Sequence, residues 1–380
     1  MKLRKEDGNC IAGLDVLHII RSENIGGAET MLLTLLKHRG AGCQVGIIVA
    51  GESPFTLLLQ AQGYLTWQIR SYIGKTDVGF FLRLLRLLRR LRPRVIQSHI
   101  WYTNLYAGLC GKALAIPVIS TFHSCHLIQT TVEKMLMQVI CGCSNKIVMV
   151  SHHQKKHFGL RDNSGKIVVI PNGIDPPDVE EGTRHLRCLQ KRKELDLGEK
   201  DVVILSVGNL RPIKGHVFLL RAIGLLTGIE NLKLLLIGDG PLRGTLLDVC
   251  RALDIKDRVH FLGYRNDVPG LLNAANIFVA PSLSEGTSMA ILEAMAAAKP
   301  IVASHVGGNE ELLEDGKDGM LIAPASPEAL AAAIEFLAKN RAVALQMGTH
   351  AQQRVAEQFS AERMARHYND LYRPMLFSRS

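Results

Sequence analysis

The sequence predicts an α/β fold with two Rossmann-like, doubly wound domains that face each other across a cleft. Short β-branched runs alternate with longer helical patterns, a rhythm typical of β-α-β units and a mostly parallel sheet. The rhythm occurs twice, and a chain of 380 residues is longer than one hydrophobic core usually serves. With 47% hydrophobic and 21% charged residues, the chain should fold throughout.

The predicted strands form two groups separated by a break rich in proline and glycine, at Pro171, Gly173, Pro176 and Pro177. In the first half, strands are expected at residues 15–20, 44–49, 95–99, 117–121, 146–150 and 167–170. In the second half, they are expected at residues 202–207, 232–237, 259–262, 277–280 and 300–303. We therefore predict a first domain over residues 1–175 and a second over 176–360. A last helix near 361–371 lies outside both rhythms, so residues 361–380 are expected to cross back to the first domain.

A cluster of arginines interleaved with apolar residues predicts a basic amphipathic helix. The net charge of +10 favours anionic partners. Two interpretations stay open and are compatible: a surface helix that packs its leucines on a sheet, and a patch that binds an anionic membrane surface. Nucleic acid is not expected as a partner, because no recognition motif is found. The residues are Arg83, Arg86, Arg89, Arg90, Arg92 and Arg94, with Phe80, Phe81, Leu84, Leu85, Leu88 and Leu91.

Neither the N-terminus nor the cysteines indicate secretion. The apolar stretch 14–20 is interrupted by Asp15 and His18, which makes it too short and mixed for a signal peptide, and no apolar run reaches the length of a membrane span. We expect a cytoplasmic protein, peripheral on the inner face of the membrane if the basic helix binds there. The cysteines are scattered and should be reduced: Cys10, Cys43, Cys110, Cys125, Cys141, Cys143, Cys188 and Cys250.

Two carboxylates separated by seven residues, Glu285 and Glu293, form the strongest motif, placed after the predicted strand 277–280. Residues Gly286, Thr287 and Ser288 look like the start of a helix, whose free backbone N–H groups can hold a phosphate. Glu293 follows within an almost wholly apolar helix, where an unpaired carboxylate is costly to bury. The hydroxyls of a ribose would supply its hydrogen-bond donors; bonding to neighbouring backbone is the alternative.

A second motif, Arg211 and Lys214, lies on the loop between strand 202–207 and the next helix. The planar fork of an arginine and the point charge of a lysine, three residues apart, can converge on one diphosphate. The chain contains no Asp-x-Asp sequence, the arrangement with which a metal-dependent sugar transferase would hold Mg²⁺ or Mn²⁺. We therefore expect these cations to replace a metal, and no cofactor besides the donor substrate.

Glycines and histidines mark further candidate positions. Gly26 and Gly27 open the first helix, where missing side chains let the backbone approach a ligand, and we expect them to bind the donor. Residues 238–241 are expected to form a tight turn. His99 ends one predicted strand and His123 follows another. From these positions, His123 is placed to hydrogen-bond a transferred sugar, and His99 to bind the acceptor.

Together these residues resemble glycosyltransferase family 4, the retaining nucleotide-sugar transferases of the GT-B fold, over nearly the whole chain. The paired glutamates with the Arg-Lys loop are quite specific, and the glycine pairs are not. The resemblance runs through Gly26-Gly27-Ala28-Glu29, Ser98-His99, Thr121-Phe122-His123, 171–175, 208–215, 238–242, Phe261-Leu262-Gly263-Tyr264, 281–293 and Gly307-Gly308-Asn309-Glu310.

The resemblance implies that Arg211 and Lys214 bind the donor diphosphate, Glu293 the ribose, and Glu285 the sugar or its phosphate. It implies that backbone around Tyr264 and Arg265 reads the base, while the first domain holds the acceptor. Two departures are small. Asn309 precedes Glu310 where the family often has proline, and Ala298 stands where glycine is common.

The expected reaction is hexosyl transfer from a nucleotide-diphosphate donor to a sugar or lipid-linked acceptor in cell-surface polysaccharide or glycolipid synthesis. A UDP-sugar is favoured, with GDP-mannose as the alternative. The acceptor hydroxyl would attack the face from which the diphosphate leaves, with His123, Glu285, Arg211 and Lys214 as the catalytic residues. Two alternatives remain at this point: a nucleotide-sugar epimerase or hydrolase on the same fold, and a non-catalytic nucleotide-sugar-binding protein.

Overall fold

The computed structural model describes residues 14–22, 25–40, 43–50, 53–69, 77–123, 130–159, 165–175 and 181–377. Pro176, Pro177, Cys10 and Cys125 lie outside the described residues. The chain divides into two compact units, Met1–Asn172 with Glu362–Ser380, and Gly173–Ala361. The divisions lie close to the predicted boundaries at 175 and 360, and the C-terminal segment from Glu362 groups with the first unit.

The first unit contains a parallel seven-stranded sheet with the order β3-β2-β1-β4-β5-β6-β7. Its strands are β1 (Val16–Arg21), β2 (Val45–Ala50), β3 (Leu65–Ile69), β4 (Val95–His99), β5 (Val118–Phe122), β6 (Lys146–Met149) and β7 (Ile167–Val169). The helices are α1 (Gly27–Lys37), α2 (Pro54–Ala61), α3 (Val78–Leu91), α4 (Trp101–Leu114), α5 (Thr131–Cys143), α6 (His152–Phe158) and, from the end of the chain, α15 (Ala361–Phe377).

The second unit contains a parallel six-stranded sheet with the order β10-β9-β8-β11-β12-β13. Its strands are β8 (Val202–Val207), β9 (Leu232–Ile237), β10 (Val259–Gly263), β11 (Ile277–Ala280), β12 (Ile301–Ser304) and β13 (Met320–Ile322). The α-helices are α7 (Glu181–Glu194), α8 (His216–Leu225), α9 (Arg243–Ala252), α10 (Val268–Ala274), α11 (Met289–Ala296), α12 (Asn309–Leu312), α13 (Pro327–Lys339) and α14 (Arg341–Gln358). Two 3-10 helices, Pro212–Lys214 and Lys256–Arg258, complete it.

Two strands that the sequence did not predict, β3 and β13, lie at sheet edges. A central parallel strand is covered on both faces and reads as a continuous apolar run. Strand β3 instead leaves most of its residues partly or fully exposed, and the three residues of β13 are all half-buried. Their sequences therefore carry little of the signal that identified the central strands.

In both sheets the strand order reverses once, between β1 and β4 and between β8 and β11. Such a reversal separates the loops that follow the two strands, and ligands bind there, beyond the carboxyl ends of parallel strands. His99 ends β4, whereas Arg211 and Glu285 follow β8 and β11. The topology thus places the predicted site residues beside the two positions where a doubly wound sheet offers a crevice.

The amphipathic helix α3 packs its apolar side on the first sheet, as one of the two interpretations predicted. Phe80, Leu84 and Leu88 are buried in one cluster with Ile96 of β4 and Val118 of β5. Full burial of such side chains contributes about 2 kcal/mol each. Among the described helices, none is both long enough and apolar enough to cross a membrane.

Helix α15 extends to Phe377, beyond the predicted end near 371, and its tyrosines lie against β4 and β5. Tyr368 is fully buried, and the Tyr372 hydroxyl donates a hydrogen bond to Gln97 Oε1. Gln97 Nε2 in turn donates to Thr121 Oγ1 at 3.1 Å. The C-terminal helix thereby supplies a hydrogen-bond partner to a buried glutamine of the first sheet.

Candidate functional site

The loops that follow β8 and β11 meet at the strand-order reversal of the second sheet. These strands are neighbours, with Ile204 opposite Ile277 and Leu205 opposite Phe278. Beyond them, Leu283 N donates a hydrogen bond to Ile213 O at 2.8 Å. The two predicted motifs, far apart in sequence, therefore lie on loops joined through their backbones.

Gly215 makes this approach of the two loops possible. Its φ of +66° lies in the left-handed region, and a Cβ built there would stand 1.9 Å from Pro281 O. Any side chain would overlap that carbonyl oxygen, so the loop after β8 must carry glycine at this point.

Lys214 and Glu285 form an ion pair across the joined loops. Lys214 Nζ lies 2.5 Å from Glu285 Oε1, and Ser282 Oγ donates to the same oxygen at 2.7 Å. The Glu285 side chain is only 11% exposed and that of Lys214 28%, so water screens the pair less than it would screen a surface pair. The sequence placed both residues in one site without predicting that they would pair with each other.

Arg211 lies at the start of the same loop with a different environment. It precedes the 3-10 helix Pro212–Lys214 and is exposed. None of the described residues forms an ion pair or hydrogen bond with its guanidinium. The solvent-exposed guanidinium of Arg211 and the ammonium of Lys214, which is held by Glu285, are therefore three residues apart on one loop. This arrangement suits an anion with several oxygens.

A glycine loop after β12 supports the backbone at Glu285. Gly308 N donates to Glu285 O at 3.2 Å, and a Cβ on Gly308 would meet Gly286 O at 1.4 Å. Asn309 follows, is fully buried, and donates from Nδ2 to Ser304 O at 3.0 Å. The preceding Gly307 is equally close, since a Cβ there would stand 2.2 Å from Glu285 O. A side chain at Gly307 or Gly308 would therefore displace the backbone at Glu285.

The helix after Glu285 begins later than the sequence suggested. Residues 286–288 were expected to be its first turn, but α11 begins at Met289 and Ser288 is its N-cap. Ser288 Oγ accepts a hydrogen bond from Ile291 N at 3.4 Å, because a serine that precedes a helix can satisfy one of its free N–H groups. Gly286, Thr287 and Ser288 are buried and form the connection to the helix.

Glu293 lies on α11 among buried apolar neighbours, as predicted. Burial raises the pKa of its carboxyl to about 7. None of the described residues donates a hydrogen bond to this carboxyl, and the side chain is half-buried, not sealed from solvent. The alternative of bonding to neighbouring backbone therefore finds no support, and the carboxyl is available to a ligand.

The predicted base-reading segment follows β10. Tyr264 is 53% exposed. The Arg265 guanidinium forms a two-pronged ion pair with Asp267, at 2.7 and 2.6 Å, and also contacts Glu194 at 3.2 Å. Because this side chain is already bound within the protein, only the backbone of Arg265 suits the role that the sequence assigned to the segment.

In the first unit, one backbone N–H of the glycine pair at the start of α1 already binds a side chain of that helix. Gly26 N donates to Glu29 Oε2 at 3.0 Å. The Glu29 carboxyl is buried, which raises its pKa. Gly27 is the first residue of α1. The predicted donor contact of Gly26 and Gly27 is therefore limited by an internal carboxyl at the N–H group of Gly26.

Three histidines form a continuous chain in the interior of the first unit. His18 Nδ1 lies 3.2 Å from His99 Nε2, and His99 Nδ1 lies 3.0 Å from His123 Nε2. Successive rings are inclined by only 22° and 23°, with centroids 5.4 and 5.2 Å apart, so the rings meet edge to edge through their nitrogens. Burial lowers the pKa of His18 to about 3 and that of His123 to about 4. Burial, and then its two histidine neighbours, also hold the pKa of His99 well below its usual value.

The row of three histidines corrects the prediction for His99 and brings in His18, a residue that the sequence did not assign to the site. His99 was expected to bind the acceptor, but it is fully buried and both of its ring nitrogens are used by other histidines. The sequence treated His18 only as an interruption of an apolar stretch. A histidine within a central buried strand is itself a signal, because its ring nitrogens require polar partners there.

Residues 25–177 match the family described as Glycosyltransferase Family 4, and residues 189–354 match the one described as Glycosyl transferases group 1. N-acetyl-alpha-D-glucosaminyl L-malate synthase of Bacillus anthracis is 31% identical over 308 residues, which cover 79% of this chain and 80% of that protein. The chain belongs to glycosyltransferase family 4.

Two further comparisons bear on this family member. UDP-Gal:alpha-D-GlcNAc-diphosphoundecaprenol alpha-1,3-galactosyltransferase of Escherichia coli is 29% identical over 266 residues, covering 65% of this chain and 66% of that protein, slightly under two thirds. The structure of Anabaena Alr3699/HepE in complex with UDP and glucose has a TM-score of 0.84 at 19% identity, covering 94% of this chain and 99% of that one. The predicted GT-B fold with two Rossmann-like domains is confirmed.

Gly215→Ala should destabilise the second unit by about 2 kcal/mol or more, because it combines left-handed backbone strain with overlap on Pro281 O. Chemical denaturation of the variant measures the loss. Gly244→Ala is the matched control, since a Cβ there meets nothing within 4 Å. Equal midpoints for the two variants would contradict the close approach of the loops.

The raised pKa of Glu293 predicts that stability depends on pH. The folded state holds the proton more tightly than the unfolded chain, so the free energy of unfolding should fall as pH rises from about 4.5 to about 7, then level off. Glu293→Gln should therefore raise the melting temperature more at pH 8 than at pH 5. Exposed Glu357→Gln is the control; a shift independent of pH in Glu293→Gln would refute the raised pKa.

Proposed function

We propose that this chain transfers a hexosyl group from a nucleotide-diphosphate donor to a sugar or lipid-linked glycan acceptor, with retention of configuration and without a metal ion. The observation that carries the proposal is the Lys214–Glu285 pair on loops joined at the strand-order reversal of the second sheet. A UDP-sugar is the favoured donor and GDP-mannose the alternative. Support for UDP comes from the donor named for the Escherichia coli relative and the ligand of the Anabaena structure.

In this proposal the diphosphate binds between Arg211 and Lys214. A lysine ammonium has three N–H donors, so Lys214 can keep one on Glu285 and offer the others to phosphate oxygens. Arg211 adds a planar fork from the solvent side. Glu285 then retains its second carboxylate oxygen for a sugar hydroxyl, while residues 286–288 lie beside the leaving phosphate.

The nucleoside would be held by α11 and by the segment after β10. As a carboxylate, Glu293 accepts hydrogen bonds from both ribose hydroxyls, which supplies the donors that it lacks within the protein. The backbone of Tyr264 and Arg265 contacts the base. Because Glu293 must ionise to accept two bonds, nucleotide affinity should increase as pH rises through about 7.

The reaction breaks the bond between the anomeric carbon and the diphosphate oxygen and forms one to the acceptor oxygen on the same face. The proton of the acceptor hydroxyl passes to the departing phosphate oxygen. Arg211 and Lys214 stabilise the negative charge that develops on the diphosphate, an electrostatic contribution of the kind that is usually largest in catalysis. His123 contacts the sugar as positive charge grows on it.

The test is binding and slow hydrolysis of UDP-glucose, UDP-galactose, GDP-mannose and ADP-glucose, with EDTA present. Lys214→Ala should lower turnover of the selected donor by about 100-fold, because it removes charge stabilisation of the leaving group. Glu293→Ala should weaken nucleotide binding. Lys339→Ala, which removes an exposed lysine paired with Glu335, is the matched charge control. Binding of none of these donors would refute the proposal, and turnover only with added Mg²⁺ or Mn²⁺ would refute metal independence.

The acceptor class is proposed from one face of the first unit, formed by α3, α4 and α5. Their right-handed crossovers run the same way across the sheet, which puts the three helices on one side, packed together. Glu133 is the single acidic residue within them, and its carboxylate accepts from Thr130 N. The large exposed apolar residues of these helices are Val78, Leu82, Leu109, Val132, Met135 and Val139, and the exposed basic residues are Arg86, Arg89, Arg90, Lys112 and Lys134.

Apolar side chains set among arginines and lysines suit an anionic lipid surface, so we propose peripheral membrane binding and a lipid-linked acceptor. Replacing Arg86, Arg89 and Arg90 together by Gln should weaken binding to phosphatidylglycerol vesicles at least about tenfold. Raised salt should do the same to the wild type. The matched control replaces the exposed Arg363, Arg366 and Arg373 of α15 by Gln. Equal loss in both triple variants, or no binding by the wild type at low salt, would count against this surface.

A further inference from the structure

The histidine chain of the first unit joins three strands that are adjacent in the sheet. His18 lies in the middle of β1, His99 ends β4, and His123 follows β5. The His18–His99 and His99–His123 contacts of 3.2 and 3.0 Å are hydrogen-bond distances between ring nitrogens. His123 is thus connected, through His99, to a buried residue on β1 that would not contact a substrate.

Counting protons shows that the three rings cannot choose their tautomers independently. Burial lowers the pKa of each ring, so each is neutral near pH 7 and carries one N–H. His99 can therefore donate to one neighbour and must accept from the other. Only two arrangements satisfy both hydrogen bonds: all three histidines protonated on Nδ1, or all three on Nε2.

The environment of His123 distinguishes these arrangements. Its Nδ1 is buried and has no partner among the described residues. Protonation on Nδ1 would leave a buried N–H donor unused, whereas protonation on Nε2 leaves a bare acceptor, and orphaned buried donors are the rarer of the two in proteins. The Nε2 arrangement also leaves the lone pair of Nδ1 unused, so a sugar hydroxyl can supply the missing partner by donating its proton.

We propose that His18 and His99 are positioning residues that hold His123 as the Nε2–H tautomer, so that its Nδ1 accepts a hydrogen bond from the transferred sugar. This inference rests on the proposed function, which supplies the sugar. Nδ1 then presents electron density where positive charge grows during transfer, and its dipole is fixed before the reaction.

Removing the His18 ring should reverse the direction of hydrogen bonding between His99 and His123. In His18→Leu, His99 loses the acceptor for its Nε2–H, so the proton moves to His99 Nδ1 and is donated to His123 Nε2. His123 must then carry its own proton on Nδ1 and offer the sugar a donor in place of an acceptor. His18→Asn should preserve the wild-type order, because the amide oxygen branches from the same Cγ as Nδ1 and accepts from His99.

Tautomers are read from ¹⁵N shifts of the full-length protein labelled on histidine, assigned with single His→Gln variants. We expect Nε2–H on His18, His99 and His123 in the wild type, Nδ1–H on His123 in His18→Leu, and the wild-type pattern in His18→Asn. A mixed set in the wild type, or a His123 tautomer that does not change in His18→Leu, would overturn the inference.

Kinetics supply the second readout, as hydrolysis of UDP-glucose and UDP-galactose. His18→Leu should lower kcat about tenfold, the value of one hydrogen bond, with the dissociation constant for UDP unchanged. His18→Asn should restore most of kcat. Val16→Ala, at another buried position of β1, controls for destabilisation and should keep wild-type kcat. Unchanged kcat in His18→Leu would overturn the role in catalysis, whereas failure of the wild type to bind UDP would refute the proposed function and leave the tautomer result standing.

Discussion

The close approach of two backbone loops is the constraint on which the candidate donor site depends. Gly215 lies so near Pro281 O that only a hydrogen atom fits between them, and the hydrogen bond from Leu283 N to Ile213 O fixes their register. Lys214 is adjacent to that glycine, and its ion pair with Glu285 follows from the register. A flexible loop would lose entropy each time it gathered these charges around a ligand. Here that ordering occurs on folding, so the charge that would face the proposed diphosphate is already in position.

Two of the candidate residues carry a polar group that is at least partly buried and has no hydrogen-bond partner among the described residues. Glu293 is placed among apolar side chains with no donor from the described residues, and His123 Nδ1 is buried in the same condition. Other buried polar groups are paired, as in the path from Tyr372 through Gln97 to Thr121, whereas Ser98 Oγ and Ser304 Oγ are also buried without a partner among the described residues. Unsatisfied groups cost stability, on the order of 1–3 kcal/mol each. At Glu293 and His123, a bound ligand would supply the partner that each group lacks.

Central strands and site motifs were predictable from sequence because each depends on local composition. The strands Val95–His99, Val202–Val207, Leu232–Ile237 and Ile277–Ala280 were predicted at their exact bounds, and the last three are mainly apolar runs between clear turns. Edge strands β3 and β13 were missed because their exposure weakens that run. The Lys214–Glu285 pair and the role of His18 depend on contacts between residues distant in sequence, which composition does not encode. His99 was assigned to the acceptor from its place at a strand end, a position that does not reveal whether the side chain is buried.

The two units divide the chemistry by charge. In the second unit the candidate residues are ionic, and in the proposed reaction Lys214 and Arg211 meet the negative charge of the leaving diphosphate. In the first unit the buried histidines are neutral, because desolvation lowers each pKa far below physiological pH. A neutral ring is the better neighbour for a sugar that becomes positively charged, since an imidazolium there would oppose that charge. The burial that keeps these histidines neutral also forces them to share one direction of hydrogen bonding. Under the role proposed for His123, the burial of His18 on β1 therefore decides which face of hydrogen bonding His123 offers to a sugar.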